Sequence, residues 1–398
     1  MSNLKETIQQ LAQQYHPDVV TVRRHLHANP ELSFEEYNTS KYVQEKLAEY
    51  GISYQAGIAN TGIIGLIEGR NPSKKVVALR ADMDALPILE QNEVPYKSTN
   101  PGVMHACGHD AHTANLLGVG RILQNLKDEF EGTVKLIFQP AEEKSPGGAS
   151  IMIKEGALEN PKPDCIIGLH VYPLLPAGMV GFRTGMMMAS SDEVYLSIHG
   201  KGGHGAVPQH SVDPVAITCQ IVTALQQIVS RQNDPTVPCV LTFGKINSVG
   251  GSYNVIPEEV KLEGTLRTMS ETWRAEAKIR IERMAKGIAE GMGATAEVKF
   301  VQGYPFLIND DALTLRCKDA AIQFMGNEQV VDIPMRMTAE DFAYYTHVAK
   351  GCFYRIGTAN FERGITSNIH TPTFDLDEEA LQHSMGLMSW LALNELKN

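Results

Sequence analysis

The sequence predicts an α/β protein, a mixed, largely parallel β-sheet flanked by helices, interrupted by an inserted ferredoxin-like α+β domain. Three observations carry this expectation. Short apolar runs beginning at Val76, Val134 and Cys165 alternate with helical stretches, the pattern of parallel strands buried on both faces. Each run ends abruptly in acids or imidazole: Asp82 and Asp84, then Glu142 and Glu143 beyond Pro140, then His170. Between Asp192 and Val301 the order strand, helix, strand, strand, helix, strand is the split unit of a ferredoxin-like sandwich. Sites in open α/β sheets form beyond the carboxyl ends of strands, so the three polar ends are expected to converge.

Taken in order, residues 3–15 and 17–28 place apolar side chains such as Leu4, Ile8 and Leu11 at helical spacing, and Asn29-Pro30 breaks the run. A second helix is expected over about 33–50, closed by Gly51. Strands at 62–69 and 76–84 follow, and helices over roughly 110–127 and 147–156 separate the next two strands. The composition changes near Met186. The inserted domain, 186–302, carries strands at 194–199, 240–245, 259–268 and 295–301 and helices at 214–231 and 271–291. Segments 1–185 and 303–398 together form the other domain, completed by helices at 311–325 and 339–348, a strand at 352–357 and a last helix from Asp377. There is no internal repeat.

With 398 residues, 43% hydrophobic and 20% charged, the chain has ample core for two domains. A net charge of −11 argues against nucleic acid and anionic membranes as partners, because both need a basic face. The six cysteines, at 107, 165, 219, 239, 317 and 352, form no Cys-x-x-Cys pair and suggest reduced thiols. The start, Met1 to Thr7, leads into a Gln-rich helix without the apolar core of a signal peptide, and no window reaches a membrane span. A cytoplasmic enzyme acting on a small molecule is the expectation.

The densest chemistry is His105-Ala106-Cys107-Gly108-His109-Asp110-Ala111-His112. Thiolate and imidazole hold borderline-soft divalent ions well, and a Cys-x-His pair can place both donors on one ion. Taken alone, the octet could also be a buried structural cysteine among core histidines, although the metal site is the better reading. Cys107, His109, Glu143, His170 and a later histidine would supply donors for two divalent ions; His370, in a polar loop before the last helix, suits the last place. His347 and His383 fall at helical positions, and His25 and His27 belong to the first helical region, where structural roles are expected. The adjacent Glu142 and Glu143 suit a division in which one carboxylate binds metal and the other takes a proton from water.

As a set, His105–His112, Ala141-Glu142-Glu143, Gly168-Leu169-His170, Gly200-Lys201-Gly202-Gly203-His204-Gly205-Ala206 and Ile369-His370-Thr371-Pro372 resemble the amidohydrolase branch of the aminoacylase and carboxypeptidase G metallopeptidase family, which includes hippurate and auxin-conjugate hydrolases. The resemblance covers almost the whole chain in motif order. It implies a zinc-peptidase-like catalytic domain with two divalent ions (Zn, Mn, Co or Ni) held by Cys107, His109, Glu143, His170 and His370, and Glu142 as general base. It also implies that the insert is a lid and homodimerisation domain. There His204 would reach the partner subunit's site to stabilise the oxyanion, with Asn254 and Arg267 holding the substrate. A planar guanidinium such as that of Arg267 suits a carboxylate.

Two features depart from many relatives. Asp82-Met83-Asp84 stands where a His-x-Asp pair is common, which leaves Asp82 and Asp84 as expected orienters of ligands, and Thr338-Ala339 replaces a serine before Glu340-Asp341-Phe342. The activity implied is hydrolysis of the amide bond of N-acyl amino acids. A dipeptidase or carboxypeptidase on the same site, a cysteine hydrolase using Cys107, and a non-catalytic binding protein are the rivals.

Overall fold

The structure is a computed structural model and describes residues 2–397. The chain divides into two compact units. The first runs to Met187 and takes up Ile308–Met335 and the chain from Asp341; the second comprises Met188–Leu307 with Arg336–Glu340.

The first unit is built on an eight-stranded sheet in the order Ser53–Ile58, Gly62–Glu68, Thr133–Gln139, Val76–Asp82, Cys165–Pro176, Lys350–Ala359, Val180–Phe182, Val330–Asp332. The four strands Thr133–Gln139, Val76–Asp82, Cys165–Pro176 and Lys350–Ala359 lie side by side and run parallel. They are buried along most of their length, so the apolar runs are nearly continuous. Lys135 interrupts one of them at no loss of satisfaction: its Nζ donates to the carbonyls of Ala157 at 3.0 Å and Glu159 at 2.6 Å. Helices Ser2–Ala28, His109–Asn125 and Glu379–Lys397 pack on one another, the last two also against the sheet.

Two local expectations change. Ser2–Ala28 is a single helix that passes through Pro17. Its buried stripe of Ile8, Ala12, Tyr15, Val19, Val22 and Leu26 keeps phase across the proline. Pro17 and Gln13, four residues back, both face solvent, where the carbonyl that loses its partner can be hydrated. The helix expected over 339–348 is reduced to Ala343–Thr346.

The second unit holds a four-stranded antiparallel sheet in the order Cys239–Val249, Glu259–Thr268, Asp192–His199, Thr295–Gln302, with helices Pro214–Gln227 and Glu271–Gly291 packed on it. Asp213 caps the first helix, accepting from the Val215 and Ala216 N–H groups, and Ser270 caps the second. A two-stranded ribbon pairs Gly203–His204 with Val255–Ile256. Among the described residues no helix is long and apolar enough to cross a membrane.

Candidate metal centre

Register brings the polar residues of the first unit's sheet to one level. Asp82 pairs with Gln139, Arg80 with Gly168 two residues below, and Arg355 with His170, so Gln139, Asp82, His170 and Arg355 lie in a row across the four parallel strands. The loop after Asp82 carries Asp84, and the turn after Gln139 carries Glu142 and Glu143. Helix His109–Asn125 begins at the same end of the sheet. Its N-cap is Gly108 at φ +83°, a left-handed conformation suited to glycine, and a Cβ there would lie 2.7 Å from Val171 Cγ2. His109 and His112, three apart, share a face of that helix.

Three donor groupings overlap in this space. Cys107, His109 and His170 have ligand atoms within 4.8 Å of one another, as do Cys107, Glu143 and His370, and His109, Glu142 and Glu143. Cys107 is common to the first two groupings and so lies between two potential ion positions. Asp82, His109 and His112 also cluster, but His112 is committed elsewhere: Nδ1 donates to Asp82 Oδ1 at 2.6 Å and Nε2 accepts the Val171 N–H at 2.9 Å.

Hydrogen bonds fix which imidazole nitrogens are free. His170 Nδ1 donates to the Val171 carbonyl at 2.8 Å, leaving the Nε2 lone pair facing Cys107 Sγ at 3.4 Å. His109 Nδ1 donates to Asp84 Oδ1 at 3.2 Å, leaving Nε2 turned toward Asp82 and Glu143. There His109 Nε2 and Glu143 Oε1 are buried 3.9 Å apart, and neither makes a hydrogen bond among the described residues. His370 Nε2 approaches the same Glu143 oxygen at 3.2 Å. Native proteins seldom leave such atoms without a partner, and imidazole and carboxylate donors brought this close together suit a cation. A thiol, imidazoles and carboxylates form a mixed S/N/O donor set, which fits divalent transition ions.

The electrostatics ask for the same thing. Burial disfavours charge on His109, but Asp82, Asp84 and Glu143 outweigh it and raise its pKa to about 10. His109 thus lies among three carboxylates, surroundings that also suit a metal cation. Burial, then Glu143, Glu142 and Asp82, push the Cys107 thiol well up, while burial and Arg355 push His170 well down. These are the opposite of the shifts that produce a thiolate–imidazolium pair, so the neighbouring Cys107 and His170 do not resemble an activated nucleophile.

Asp84 is the hub of the site. Oδ1 accepts from His109 Nδ1 and the Glu142 N–H at 3.0 Å; Oδ2 accepts from Ser33 Oγ at 2.6 Å and the Glu143 N–H at 3.0 Å. Asp82 is held by Arg80 at 2.6 Å, and Arg80 also bonds Asp341 at 2.7 Å and Gln139 at 2.9 Å. Burial opposes ionisation of Asp82, but His109, Arg80 and His112 hold it well below the usual carboxylate range. The Asp341 N–H lies 3.4 Å from Glu142 Oε1. Glu36, unremarked in sequence, enters here too: its Oε1 accepts the Ala141 N–H at 2.8 Å. Burial and the nearby Asp84 push Glu36 up to about 7. Nothing in the sequence pointed to this: Glu36 fell inside the helix expected over about 33–50, whereas that helix begins at Tyr37.

Of the expected site residues, Cys107, His109, Glu142, Glu143, His170, His370, Asp82 and Asp84 all belong to the first unit and come together. His204, Asn254 and Arg267 belong to the second. There His204 and Asn254 adjoin: His204 pairs with Val255, and the Gly205 N–H donates to the Asn254 carbonyl at 2.8 Å. Both side chains are exposed. Arg267 lies on strand Glu259–Thr268, partly buried and hydrogen bonded to Thr265 Oγ1.

Comparison with known proteins places this geometry. Residues 78–394 match the model of peptidase family M20/M25/M40. The chain is 45% identical over 307 residues to an N-acyl-L-amino acid amidohydrolase of Geobacillus stearothermophilus, covering 77% of this chain and 82% of that one. It is 40% identical over 368 residues to thermostable carboxypeptidase 2 of Saccharolobus solfataricus, covering 92% of each. Among solved structures, the YXEP protein of Bacillus subtilis, a dinuclear metal-binding peptidase, superposes with a TM-score of 0.83 at 36% identity, covering 97% of this chain and 99% of that one. The chain belongs to peptidase family M20/M25/M40.

Proposed function

We propose that this protein is a metal-dependent amidohydrolase that cleaves the amide bond of N-acyl amino acids, with Cys107, His109, Glu143, His170 and His370 holding two divalent ions and Glu142 as general base. The observation that carries the reading is the pair of overlapping donor groupings that share Cys107, with Glu142 beside them. The relative named as an N-acyl-L-amino acid amidohydrolase supports the substrate class, and the dinuclear peptidase supports two ions.

When bound, the ions supply a water of lowered pKa and polarise the amide carbonyl. The chain's own residues do the rest. Glu142, nearly buried, takes a proton from the attacking water and returns it to the leaving nitrogen. Asp84 fixes the backbone beneath both glutamates and the ring of His109, so neither must be ordered during the reaction. His204 of the partner subunit would hydrogen bond the developing oxyanion, a contribution on the order of 3 kcal/mol for a well-placed donor. Arg267, which forms no ion pair among the described residues, is suited to the carboxylate of the substrate's amino acid. Asn254 is the second residue proposed to hold the substrate.

A homodimer through the second unit accompanies this reading. Strand Cys239–Val249 is the sheet's edge and exposes Val240, Ile246 and Val249. A long apolar edge in this position suits pairing with a second copy.

The test is release of free amino acid from N-acetyl, N-benzoyl and N-indoleacetyl amino acids and from dipeptides, using chelator-stripped protein with and without Mn, Zn, Co or Ni. Metal-restored cleavage of acylated amino acids is the expected result. Cleavage of dipeptides alone would move the reading to a peptidase, as the carboxypeptidase relative suggests. Turnover indifferent to stripping would overturn the metal mechanism.

A further inference from the structure

We propose that Glu36 is a positioning residue for the Glu142–Glu143 pair, acting through the left-handed backbone of Ala141. The inference rests on the roles given above to those two glutamates.

Three consecutive N–H groups, those of Ala141, Glu142 and Glu143, are each taken by a buried carboxylate. Asp84 accepts the second and third at 3.0 Å, and Glu36 accepts the first at 2.8 Å. Ala141 has φ +53°, a conformation that alanine adopts reluctantly. Its carbonyl accepts the Gly148 N–H at 2.9 Å, so the residue is held from both sides. This is the last joint before the two carboxylates: a change of φ or ψ at Ala141 swings Glu142 and Glu143 together.

The ordinary reading of Glu36 is a helix cap, because it occupies the N-cap position of helix Tyr37–Glu49. Its side chain makes no capping bond to that helix. It is fully buried and turned to other partners: Oε1 accepts the N–H groups of Ala141 and of Phe34 at 3.0 Å, and Oε2 accepts from Thr61 Oγ1 at 2.7 Å. Phe34 is itself left-handed, at φ +69°. One oxygen thus ties together two unfavourable backbone residues. Without an acceptor there, the buried Ala141 N–H would be left unpaired and the alanine free to relax.

Two substitutions separate acceptor geometry from charge. Glu36→Gln keeps a carbonyl oxygen for both N–H groups and can donate to Thr61 Oγ1 from its amide nitrogen; Glu36→Met keeps the length and loses the acceptor. Glu36→Met is expected to lower kcat by about 100-fold while KM moves less than about threefold, the mark of misplaced reacting groups. Affinity for Zn or Mn, titrated against a chelating dye without substrate, should fall by about tenfold. Glu36→Gln should restore most of both. Adding Ala141→Gly to Glu36→Met should recover about tenfold in kcat, since glycine adopts the left-handed region freely.

Wild-type kcat and metal affinity in Glu36→Met would overturn the proposal, as would equal damage from Glu36→Gln or no recovery from the added glycine. Should Glu36→Met not fold, Thr61→Val, which releases Oε2 only, carries the same comparison: a smaller loss relieved by Ala141→Gly supports the proposal, and a loss indifferent to it refutes it. If the wild-type protein hydrolyses none of the amides, the functional reading fails, while the metal titration still decides the role of Glu36.

Discussion

Glu142 and Glu143 are chemically identical neighbours, so the different tasks proposed for them rest on their surroundings. Glu143 turns an unpaired oxygen toward His109 and His370, whereas Glu142 lies near the Asp341 N–H. Glu142→Gln should keep the metal and lose about 10³-fold or more in kcat, as removal of a general base does. Metal analysis beside steady-state kinetics checks this, and near-normal turnover would remove Glu142 from its role. His27 illustrates a different use of imidazole. It is buried between Asp110, 2.8 Å from Nδ1, and Glu90, 3.1 Å from Nε2. Burial and Arg23 oppose its charge, but the two carboxylates prevail and raise its pKa above the ordinary 6.5. The folded chain thus binds that proton more tightly than the unfolded chain. The stabilisation is complete below 6.5 and is lost as pH rises through the folded value. Urea unfolding of wild type and His27→Gln should show a stability gap that narrows from acid toward alkaline pH; a constant gap would show that the proton contributes nothing.

At the scale of elements, the turn between strand Thr133–Gln139 and helix Gly148–Lys154 carries the reactive pair and has the least room for change. A Cβ on Gly148 would lie 1.8 Å from the Pro140 carbonyl oxygen. Gly148→Ala should therefore destabilise the protein by about 3 kcal/mol, the upper end of ordinary overpacking, read by denaturant unfolding. That constraint was invisible in sequence, where Gly147-Gly148 reads only as the start of the helix expected over roughly 147–156. The four central strands were legible because burial on both faces writes apolar runs, and their polar ends marked the site. Strand Ser53–Ile58 was not, because it lies at the sheet's edge with only Ile58 buried and bears no apolar pattern. Helix Ser2–Ala28 was divided in expectation by Pro17, whose local penalty is outweighed by a continuous buried stripe. The expected metal donors were named from residue type and motif, and the structure groups them. Glu36 and His112 were not assigned their parts, because each acts through hydrogen bonds to residues distant in sequence, which no local pattern records.

For the whole molecule, the division of expected site residues between two units gives a test of assembly. If His204 serves the site of a partner subunit, Glu142→Gln and His204→Ala are defects in different places. Mixing the two inactive proteins under conditions of subunit exchange should then restore part of the turnover, measured as amino acid released. No recovery, with exchange verified by labelled subunits, would assign His204 to its own subunit's site. Topology has a further consequence, for biosynthesis. Lys350–Ala359 is the last strand in sequence among the described residues, yet it lies inside the sheet, between Cys165–Pro176 and Val180–Phe182. While the second unit is being translated, the strand bearing His170 has no neighbour on that side, and the loop to be closed across it is long. His370 emerges later still. A nascent chain stalled before Lys350 would present an unpaired strand edge and thiol and imidazole donors without the closing ligand. If His370 is a ligand as proposed, the site is completed only when translation is nearly done.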